Sequence, residues 1–537
     1  MANAKSVHEV TYDLLRELGL TTVFGNPGST EQTFLSEFPD DFTYVLGLQE
    51  ASVMAMADGF AQSTGKPALV NVHTAAGTGN ATGSLVAAYK GNTPLIVTAG
   101  QQTREMVLCE PYLSNPDETV FPQPWVKWAY QPARAEDVPA AFMRAYVLAL
   151  QPPAGPVYLS IPLDDWERPA LGPAAIRTAS HRVSPDVERL RGFAERINGA
   201  QRPALVFGPE VDRSGAWDAA VAFAEKVGAP VYSGPLPDRA SFPEDHRLFQ
   251  GQLPMTIGGV SEVLRDHDVV VVIGAQVFRY YPYVAGDYLP EGTELLQITA
   301  DPRLTGAAPV GDSLLGDVLP ALEQLVDMVD DHSDRQVPAA QASTSQIDLT
   351  GSAPLTADAV WSTLSTVKPA DSPLVTESTS TLAQQARFLP STRPASFFAT
   401  ASGGIGWGVP AAVGIALGDR ARGVKRTVLA TIGDGSFQYS VQAIWTAAQH
   451  RLPIVFVVMR NEEYSILKSF AVLEKTPGVP GLDLPGLDIA SLALGFGCRA
   501  VNVDSTEKLA HEFTNALSAD GPTVIVVPTK PQPIHLG

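Results

Sequence analysis

The sequence has very few cysteines, since only Cys109 and Cys498 occur in a chain of 537 residues. Neither belongs to a CxxC pair, so the sequence predicts no zinc site and no disulfide framework. Two free thiols suit a reducing compartment, and we therefore expect a cytoplasmic protein.

Long apolar segments and basic segments are also missing. The longest apolar runs, such as Val269–Ile273 and Ile454–Met459, are far shorter than the ~20 residues that a membrane helix needs, and the first residues contain no apolar signal core. The formal net charge is −20, and no Lys/Arg-rich run is present. We therefore expect neither nucleic acid nor a membrane as a partner.

What the chain does contain is a repeated alternation of short β-branched runs and helical patterns. Two stretches, Glu167–Pro185 and Asp331–Pro354, are typical of linkers and separate three blocks of similar length. Near-continuous apolar strands that alternate with helices indicate parallel sheets covered on both faces. We predict three doubly wound α/β domains at residues 1–170, 185–335 and 355–537. The predicted strands are Thr21–Phe24, Thr43–Leu46, Ala68–Val72, Leu95–Ala99, Val157–Ile161, Ala204–Phe207, Val269–Ile273, Leu295–Ile298, Leu374–Thr376, Thr427–Ile432, Ile454–Met459 and Thr523–Val527.

The third block carries the clearest functional motif. A strand ending at Ile432 is followed by Gly433-Asp434-Gly435, by apolar residues at helical spacing, and by a strand that ends at Arg460-Asn461. Such a strand–helix–strand unit is a right-handed crossover between parallel strands. Asp434 and Asn461 should therefore lie together at the carboxyl edge of the sheet, where open α/β sheets bind ligands.

The residue types at this edge fit a hydrated metal ion and a phosphate. Asp434 and Asn461 offer oxygen atoms, and Mg²⁺ takes few oxygen ligands from protein and the rest from phosphate and water. The glycines allow close approach of a phosphate to the backbone, and Ser436 opens a helix whose N-terminus favours an anion. The alternative is that Gly-Asp-Gly is only a turn, although a hairpin turn would be followed by a strand rather than a helix.

These motifs resemble those of a known family. The stretch GDGSFQYSVQAIWTAAQHRLPIVFVVMRNEEYSIL is similar to the thiamine-diphosphate signature, and six further segments resemble benzoylformate decarboxylases: residues 22–35, 48–62, 71–85, 94–106, 376–384 and 402–412. The resemblance implies a pyrimidine-binding, a middle and a diphosphate-binding domain. It also implies thiamine diphosphate as cofactor, together with Mg²⁺ or Ca²⁺.

By this resemblance, Asp434, Asn461 and the backbone carbonyl of Glu463 bind the metal, and Arg460 replaces a family asparagine. Glu50 is implied to protonate the cofactor's aminopyrimidine, whose imine then removes the thiazolium proton; a carboxyl can do this when burial raises its pKa. Without the resemblance, the simpler interpretation of Glu50 is a residue that begins a helix, where a negative charge suits the helix dipole. The other implied cofactor contacts are Thr379, Ser380, Gly403, Ile405, Gly435, Ser436 and Tyr464.

The resemblance also assigns the substrate pocket. Ser29 would contact the substrate carboxylate and His73 would transfer protons, although a helix cap and a structural histidine are the simpler interpretations. Tyr281 replaces the family's second catalytic histidine, and tyrosine side chains titrate far above neutral pH. The remaining implied lining is apolar: Tyr112, Leu113, Ala399, Ile466, Leu467 and Phe470.

The activity implied is non-oxidative decarboxylation of a 2-oxo acid to an aldehyde, with a benzoylformate-like aromatic substrate favoured. A homo-oligomer is implied, at least a dimer that shares active sites and in relatives commonly a tetramer. Carboligase or lyase chemistry is the nearest alternative. A nicotinamide oxidoreductase is remote, because Gly77, Gly79 and Gly83 form GxGxxxG and lack the later acid. A non-catalytic paralogue is disfavoured by the presence of Glu50, Asp434 and Asn461.

Overall fold

The structure is a computed structural model that describes residues 5–337 and 346–532. It contains three six-stranded sheets, one for each block of the sequence. All strand pairings within the sheets are parallel, which confirms the predicted fold class. Each sheet is built from strands of one predicted domain range. The exact limits of the three domains stay a prediction. Part of the second predicted linker, residues 338–345, lies outside the described residues.

The first sheet has the order β2-β1-β3-β4-β6-β5. Its strands are β1 (Thr22–Asn26), β2 (Thr43–Leu46), β3 (Ala68–Val72), β4 (Leu95–Gln101), β5 (Ala129–Tyr130) and β6 (Val157–Pro162). The helices around it are α1 (Val7–Glu17), α2 (Gln32–Leu35), α3 (Glu50–Thr64), α4 (Thr74–Lys90), α5 (Arg104–Val107) and α6 (Val138–Leu150). Short 3₁₀ turns cover Ser29–Glu31 and Ala135–Asp137.

The second sheet has the order β12-β11-β10-β7-β8-β9. Its strands are β7 (Pro203–Phe207), β8 (Val231–Ser233), β9 (Phe249–Gln252), β10 (Val269–Ile273), β11 (Glu294–Thr299) and β12 (Asp312–Leu315). Its helices are α7 (Val187–Gly199), α8 (Glu210–Arg213), α9 (Trp217–Val227), α10 (Ile257–Leu264), α11 (Pro302–Ala307) and α12 (Val318–Met328).

The third sheet has the order β14-β13-β15-β16-β18-β17. Its strands are β13 (Leu374–Glu377), β14 (Phe397–Ala399), β15 (Val428–Gly433), β16 (Ile454–Arg460), β17 (Arg499–Asn502) and β18 (Thr523–Pro528). A 3₁₀ turn, Thr379–Thr381, follows β13. The helices are α13 (Ala357–Val367), α14 (Leu382–Phe388), α15 (Gly408–Ala421), α16 (Asp434–Tyr439), α17 (Ala443–Gln449), α18 (Ser465–Leu473), α19 (Ile489–Gly495) and α20 (Thr506–Leu517).

Six strands were missed by the sequence patterns: β5, β8, β9, β12, β14 and β17. All except β8 lie in edge positions of their sheets. A central strand such as β10 is buried at every residue, whereas β9 and β17 contain no buried residue at all. An edge strand is therefore short and only partly apolar, and it does not produce the continuous apolar run on which the prediction relied.

The helix predicted after Asp434 is divided in two. One continuous helix was expected from the spacing of its apolar residues, but α16 ends at Tyr439 and α17 begins at Ala443. Of the apolar residues on which the expectation rested, Phe437 and Ile444 are buried, whereas Val441, Trp445 and Ala448 are only partly buried. The periodicity therefore identified part of the buried face and did not reveal the break.

The first and third domains meet along two helices packed at very short range. A Cβ on Gly59 of α3 would lie 2.3 Å from the Ala411 carbonyl oxygen, and one on Gly414 of α15 would lie 1.9 Å from the Met56 carbonyl oxygen. Glycine is therefore required at both positions, because any side chain would force the helices apart. Among the described helices, none is both long and apolar enough to cross a bilayer.

Candidate active site

The Asp434 carboxylate lies at the carboxyl edge of the third sheet, as predicted. β15 and β16 are neighbours, with Gly433 opposite Met459, so Asp434 and Asn461 each follow the end of an adjacent strand. Asp434 is buried, and its Oδ1 and Oδ2 accept hydrogen bonds from the backbone N–H groups of Gly435 at 2.8 Å and Glu462 at 2.7 Å. Burial raises the pKa of this carboxyl, because a charged carboxylate loses its hydration there.

Asn461 and Glu463 occupy the turn after β16. Asn461 Oδ1 accepts from the Glu463 N–H at 3.2 Å, and its Nδ2 donates to Ser465 Oγ at 2.8 Å. The Glu463 carboxylate accepts from Ser465 Oγ at 2.5 Å and pairs with Lys468. Lys468 also pairs with Asp483 at 2.6 Å, so the Glu463 side chain is engaged by Ser465 and Lys468 on the surface of the turn. Arg460 Nε lies 3.8 Å from Glu462 Oε1.

The residues at this edge fit a divalent cation that also binds a phosphate. Within residues 5–337 and 346–532, no cluster of three or more His, Cys, Asp or Glu side chains could hold a metal on its own. One buried carboxylate and one amide oxygen leave most of an octahedral coordination shell to other oxygen donors, which is the arrangement typical of Mg²⁺ held together with phosphate. The residues present therefore fit a metal ion whose remaining donors are phosphate and water oxygens.

The space for such a ligand is shaped by small residues. A Cβ on Gly435 would lie 2.4 Å from Tyr464 Cε1, so only glycine allows the backbone to pass this ring. Ser436 is buried in the first turn of α16. Thr379 and Ser380 begin the 3₁₀ turn after β13, and β13 pairs directly with β15, so all these hydroxyl groups belong to one sheet edge.

The loop between β14 and α15 carries Gly403 and Ile405 and is fixed by Glu377. Gly403 and Gly406 have φ values of +76° and +104°, which favour glycine. The carboxylate of Glu377, buried at the end of β13, accepts hydrogen bonds from the backbone N–H groups of Gly406 and Gly408. Burial raises the pKa of Glu377 to about 7. Glu377 therefore caps α15 and holds the loop on either side of its N-terminus.

Glu377 should make the stability of the protein depend on pH. Its pKa is about 7 in the folded chain and about 4.3 in an unfolded one. The folded state therefore holds more protons between these values, and the free energy of unfolding should fall as the pH rises, by about 4 kcal/mol in total. We expect the difference in melting temperature between wild type and Glu377→Gln, taken as wild type minus variant, to decrease as the pH rises from 5 to 7.5.

The measurement is a thermal-melting series of the protein without cofactor across that pH range. The exposed Glu474 provides the control, because Glu474→Gln should keep the same difference from wild type at every pH. A difference between wild type and Glu377→Gln that stays constant with pH would contradict the prediction.

Glu50 is the first residue of α3 and is buried. Its Oε1 and Oε2 accept hydrogen bonds from Asn26 Nδ2 at 3.1 Å and Asn80 Nδ2 at 3.0 Å. The helix cap is Gln49, whose side chain accepts from the N–H groups of Ala51 and Ser52. The carboxylate of Glu50 is thus not used as a helix cap, and both of its oxygens are held in position by neutral amides.

His73 lies between β3 and α4, where it is the N-cap residue of α4 without a side-chain cap bond. Its Nδ1 lies 2.8 Å from Oε2 of the buried Glu31 and 3.2 Å from Thr30 Oγ1. Ser29 begins the 3₁₀ turn Ser29–Glu31 and is exposed, but Gly28 is its N-cap residue and makes no side-chain cap bond. The helix-cap interpretation of Ser29 was therefore wrong.

The predicted pocket residues are only partly brought together within one chain. The rings of Tyr281 and Phe470 are in contact, with centroids 4.9 Å apart. Ile466, Leu467 and Phe470 share α18, and Ala399 ends β14. Leu113 is half-buried, but its neighbour Tyr112 is 90% exposed. The wall to which Tyr112 belongs is open to solvent in the single chain.

Four residues near these sites were not identified from the sequence: Asn26, Glu31, Asn80 and Glu377. Glu31 and Glu377 are acids that become buried, and Glu377 ends an apolar strand, which is a signal that could have been followed. In contrast, Gly77, Gly79 and Gly83 lie inside α4 rather than in a turn before it. The geometry therefore provides no dinucleotide-binding turn at these glycines.

Comparison with known proteins agrees with this arrangement. Models of the thiamine pyrophosphate enzymes match in order: the N-terminal TPP binding domain over residues 5–123, the central domain over 190–325 and the C-terminal TPP binding domain over 378–527. The chain is 44% identical over 531 residues to the benzoylformate decarboxylase of Pseudomonas aeruginosa, covering 98% of this chain and 99% of that protein.

Two solved structures are also similar over their full length. The crystal structure of benzoylformate decarboxylase from Polynucleobacter necessarius is 49% identical, with a TM-score of 0.97 and coverage of 99% of both chains. A structure from Mycobacterium smegmatis, described as a thiamin diphosphate-dependent enzyme, is 68% identical, with a TM-score of 0.95 and coverage of 98% of this chain and 100% of that chain. The resemblance inferred from the motifs is confirmed, and the chain belongs to the family of thiamine pyrophosphate enzymes.

Proposed function

We propose that this protein is a thiamine-diphosphate-dependent decarboxylase that converts an aromatic 2-oxo acid of the benzoylformate type into an aldehyde. The observation that carries the proposal is the near full-length similarity to two benzoylformate decarboxylases, combined with Glu50, Asp434 and Asn461 at their family positions. When bound, the cofactor supplies an electron sink for the carbon–carbon bond that breaks as carbon dioxide leaves.

The residues of the third domain would hold the cofactor and its metal. Asp434, Asn461 and the Glu463 carbonyl are proposed to bind Mg²⁺ or Ca²⁺. The support is the buried carboxylate of Asp434 and the engagement of the Glu463 side chain by Ser465 and Lys468. Contacts with the cofactor itself are proposed for Thr379, Ser380, Gly403, Ile405, Gly435, Ser436 and Tyr464.

The residues of the first domain would carry the proton chemistry. Glu50 is proposed to exchange a proton with the aminopyrimidine ring, because its carboxyl is buried and is held by two amides. Ser29 would hold the substrate carboxylate, and His73 would move a proton to or from the reacting carbon. The loops that carry Ser29 and His73 are in contact, because Thr30, next to Ser29, contacts the His73 ring.

A homo-oligomer is part of the proposal, as a tetramer built from dimers that share active sites in the cytoplasm. Large apolar side chains are strongly exposed on the single chain around the predicted pocket, among them Leu108 at 92%, Tyr112 at 90% and Val472 at 80%. Apolar surfaces of this kind commonly mark contacts between proteins. A second copy of the chain would cover them and would close the wall near Tyr112.

Carboligation is a second candidate because of Tyr281. This residue replaces the family's second catalytic histidine, is 56% exposed and packs against Phe470. A phenol in this place is a poorer proton donor at neutral pH than an imidazole. Slower proton delivery to the reacting carbon would leave time for an aldehyde to be captured instead.

The test is to incubate the holoenzyme with aromatic, branched and short 2-oxo acids and to measure carbon dioxide, aldehyde and acyloin. We expect aldehyde and carbon dioxide in equal amounts, with the highest kcat/KM for benzoylformate or a ring-substituted analogue. Protein stripped of cofactor and metal is the control and should be inactive. Predominance of acyloin would favour the carboligase, and no turnover of any acid would overturn both candidates.

A further inference from the structure

The Glu31 carboxylate is the most completely enclosed acid near His73. It ends the 3₁₀ turn Ser29–Glu31, and its side chain is fully buried. Oε1 accepts from Thr30 Oγ1 at 2.7 Å and from the Gly100 N–H at 2.9 Å, and Oε2 accepts from the Gly28 N–H at 2.9 Å. The remaining contact of Oε2 is His73 Nδ1 at 2.8 Å.

Two glycines keep the acid and the ring in contact. A Cβ on Gly28 would lie 2.1 Å from His73 Nδ1, and a Cβ on Gly100 would lie 2.4 Å from Glu31 Oε1. No side chain could be placed at either position without displacing the imidazole or the carboxylate. The backbone is thus shaped around this one pair, which joins the carboxyl ends of β1, β3 and β4.

The use of a charged group here is informative. A buried carboxylate is costly unless it is hydrogen-bonded or paired, and the contact of Glu31 with His73 becomes an ion pair only when the imidazole is protonated. Both carboxylate oxygens are used as acceptors, Oε1 towards Thr30 and Gly100 and Oε2 towards Gly28 and His73. The carboxylate therefore holds the loop and the imidazole ring at the same time.

We propose that Glu31 is a positioning residue that acts through His73. The Glu31 carboxylate accepts a hydrogen bond from His73 Nδ1–H, which fixes the imidazole in the Nδ1–H tautomer and leaves Nε2 as the nitrogen that exchanges a proton with the substrate. When Nε2 takes up a proton, the adjacent carboxylate stabilises the resulting cation. This inference rests on the proposed function, in which His73 transfers a proton.

The first experiment is a double-mutant cycle between Glu31 and His73 in the holoenzyme. Glu31→Gln keeps the size of the side chain and removes its charge, and we expect kcat to fall by between about 10-fold and 10⁴-fold with a smaller change in KM. In the His73→Gln background, adding Glu31→Gln should cause no further loss, because Glu31 acts through His73. The pH profile of kcat should shift in Glu31→Gln as well.

Controls separate positioning from folding. Glu17→Gln changes an exposed glutamate of α1 and should leave the rate unchanged. The affinity for thiamine diphosphate should be unchanged in Glu31→Gln, because the diphosphate site belongs to the third domain. A loss of equal size in both the wild-type and the His73→Gln backgrounds would overturn the proposal.

A second measurement does not depend on turnover. Nitrogen-15 NMR of histidine-labelled wild type, with His73→Gln to assign the signal, reports which ring nitrogen carries the proton. We expect the Nδ1–H tautomer for His73, and an Nε2–H tautomer would overturn the proposal even if Glu31→Gln failed to fold. If the wild type decarboxylates no 2-oxo acid, the proposed function fails while the NMR still decides the role of Glu31.

Discussion

Glu50→Gln is expected to lose nearly all turnover, about 10²-fold to 10⁴-fold in kcat, while the protein still binds its cofactor. Glutamine has the same shape as glutamate, but its amide cannot donate a proton and take it back as a carboxyl group can. Asn26 and Asn80 hold the two carboxylate oxygens at 3.1 and 3.0 Å, so the amide should remain in place with one of these hydrogen bonds retained. The substitution therefore tests the chemistry of the group rather than its position.

Carbon dioxide release and the calorimetric Kd for thiamine diphosphate at saturating Mg²⁺ are the two measurements. The matched control is Glu9→Gln, which changes an exposed capping-box glutamate in α1, a position that glutamine also fills. Unchanged turnover in Glu50→Gln would remove Glu50 from the mechanism. Loss of cofactor affinity together with turnover would instead assign it a role in binding.

Asp434→Asn is expected to abolish the stabilisation of the protein by cofactor and metal. A ligand at 100 times its Kd raises the free energy of unfolding by about 2.7 kcal/mol, and this increment should disappear in the variant. Removing a residue that only hydrogen-bonds to a metal ligand lowers metal affinity by roughly 10-fold to 100-fold. The loss of metal affinity in Asp434→Asn should be larger than this. The reason is that Asp434 is the one anionic side chain assigned to the metal.

The same variant without cofactor should melt close to wild type at neutral pH. Burial raises the pKa of Asp434, so a neutral amide removes an unfavourable charge, while its NH2 group gives up one of the two hydrogen bonds from the backbone N–H groups of Gly435 and Glu462. Thermal melting with and without thiamine diphosphate and Mg²⁺ measures both effects. Asp504→Asn, at an exposed position of the third domain, is the control. A variant that is still stabilised by cofactor and metal would contradict the assignment.

Much of the cofactor-binding edge could be predicted from local sequence alone. β15 and β16 are continuous apolar runs, each buried along its length up to the last residue. The carboxyl ends of neighbouring parallel strands must share an edge, so the positions of Asp434 and Asn461 follow from the pattern. The break between α16 and α17 did not follow from the pattern, because both helices contain apolar residues at helical spacing.

The pairings that organise the site were beyond the reach of local patterns. Glu31 and His73 are separated by 42 residues, and Glu377 reaches Gly406 and Gly408 across 29 and 31 residues. Each pair joins loops at the ends of different strands, and nothing in either loop alone specifies its partner. Edge strands such as β17 were missed for a related reason, since neighbouring strands rather than their own composition place them in the sheet.

The sequence by itself determined three α/β blocks, the sheet edge that carries Asp434 and Asn461, and the family, because strand periodicity and linear motifs are encoded over short distances. Only the tertiary structure decided what surrounds these groups: which amides hold Glu50, which acid contacts His73, and that Lys468 pairs with Glu463. Burial and hydrogen bonding depend on segments that are distant in the chain, and these interactions decide how a carboxylate behaves. The sequence thus identifies the residues of this site, and the fold determines their burial and their hydrogen-bond partners.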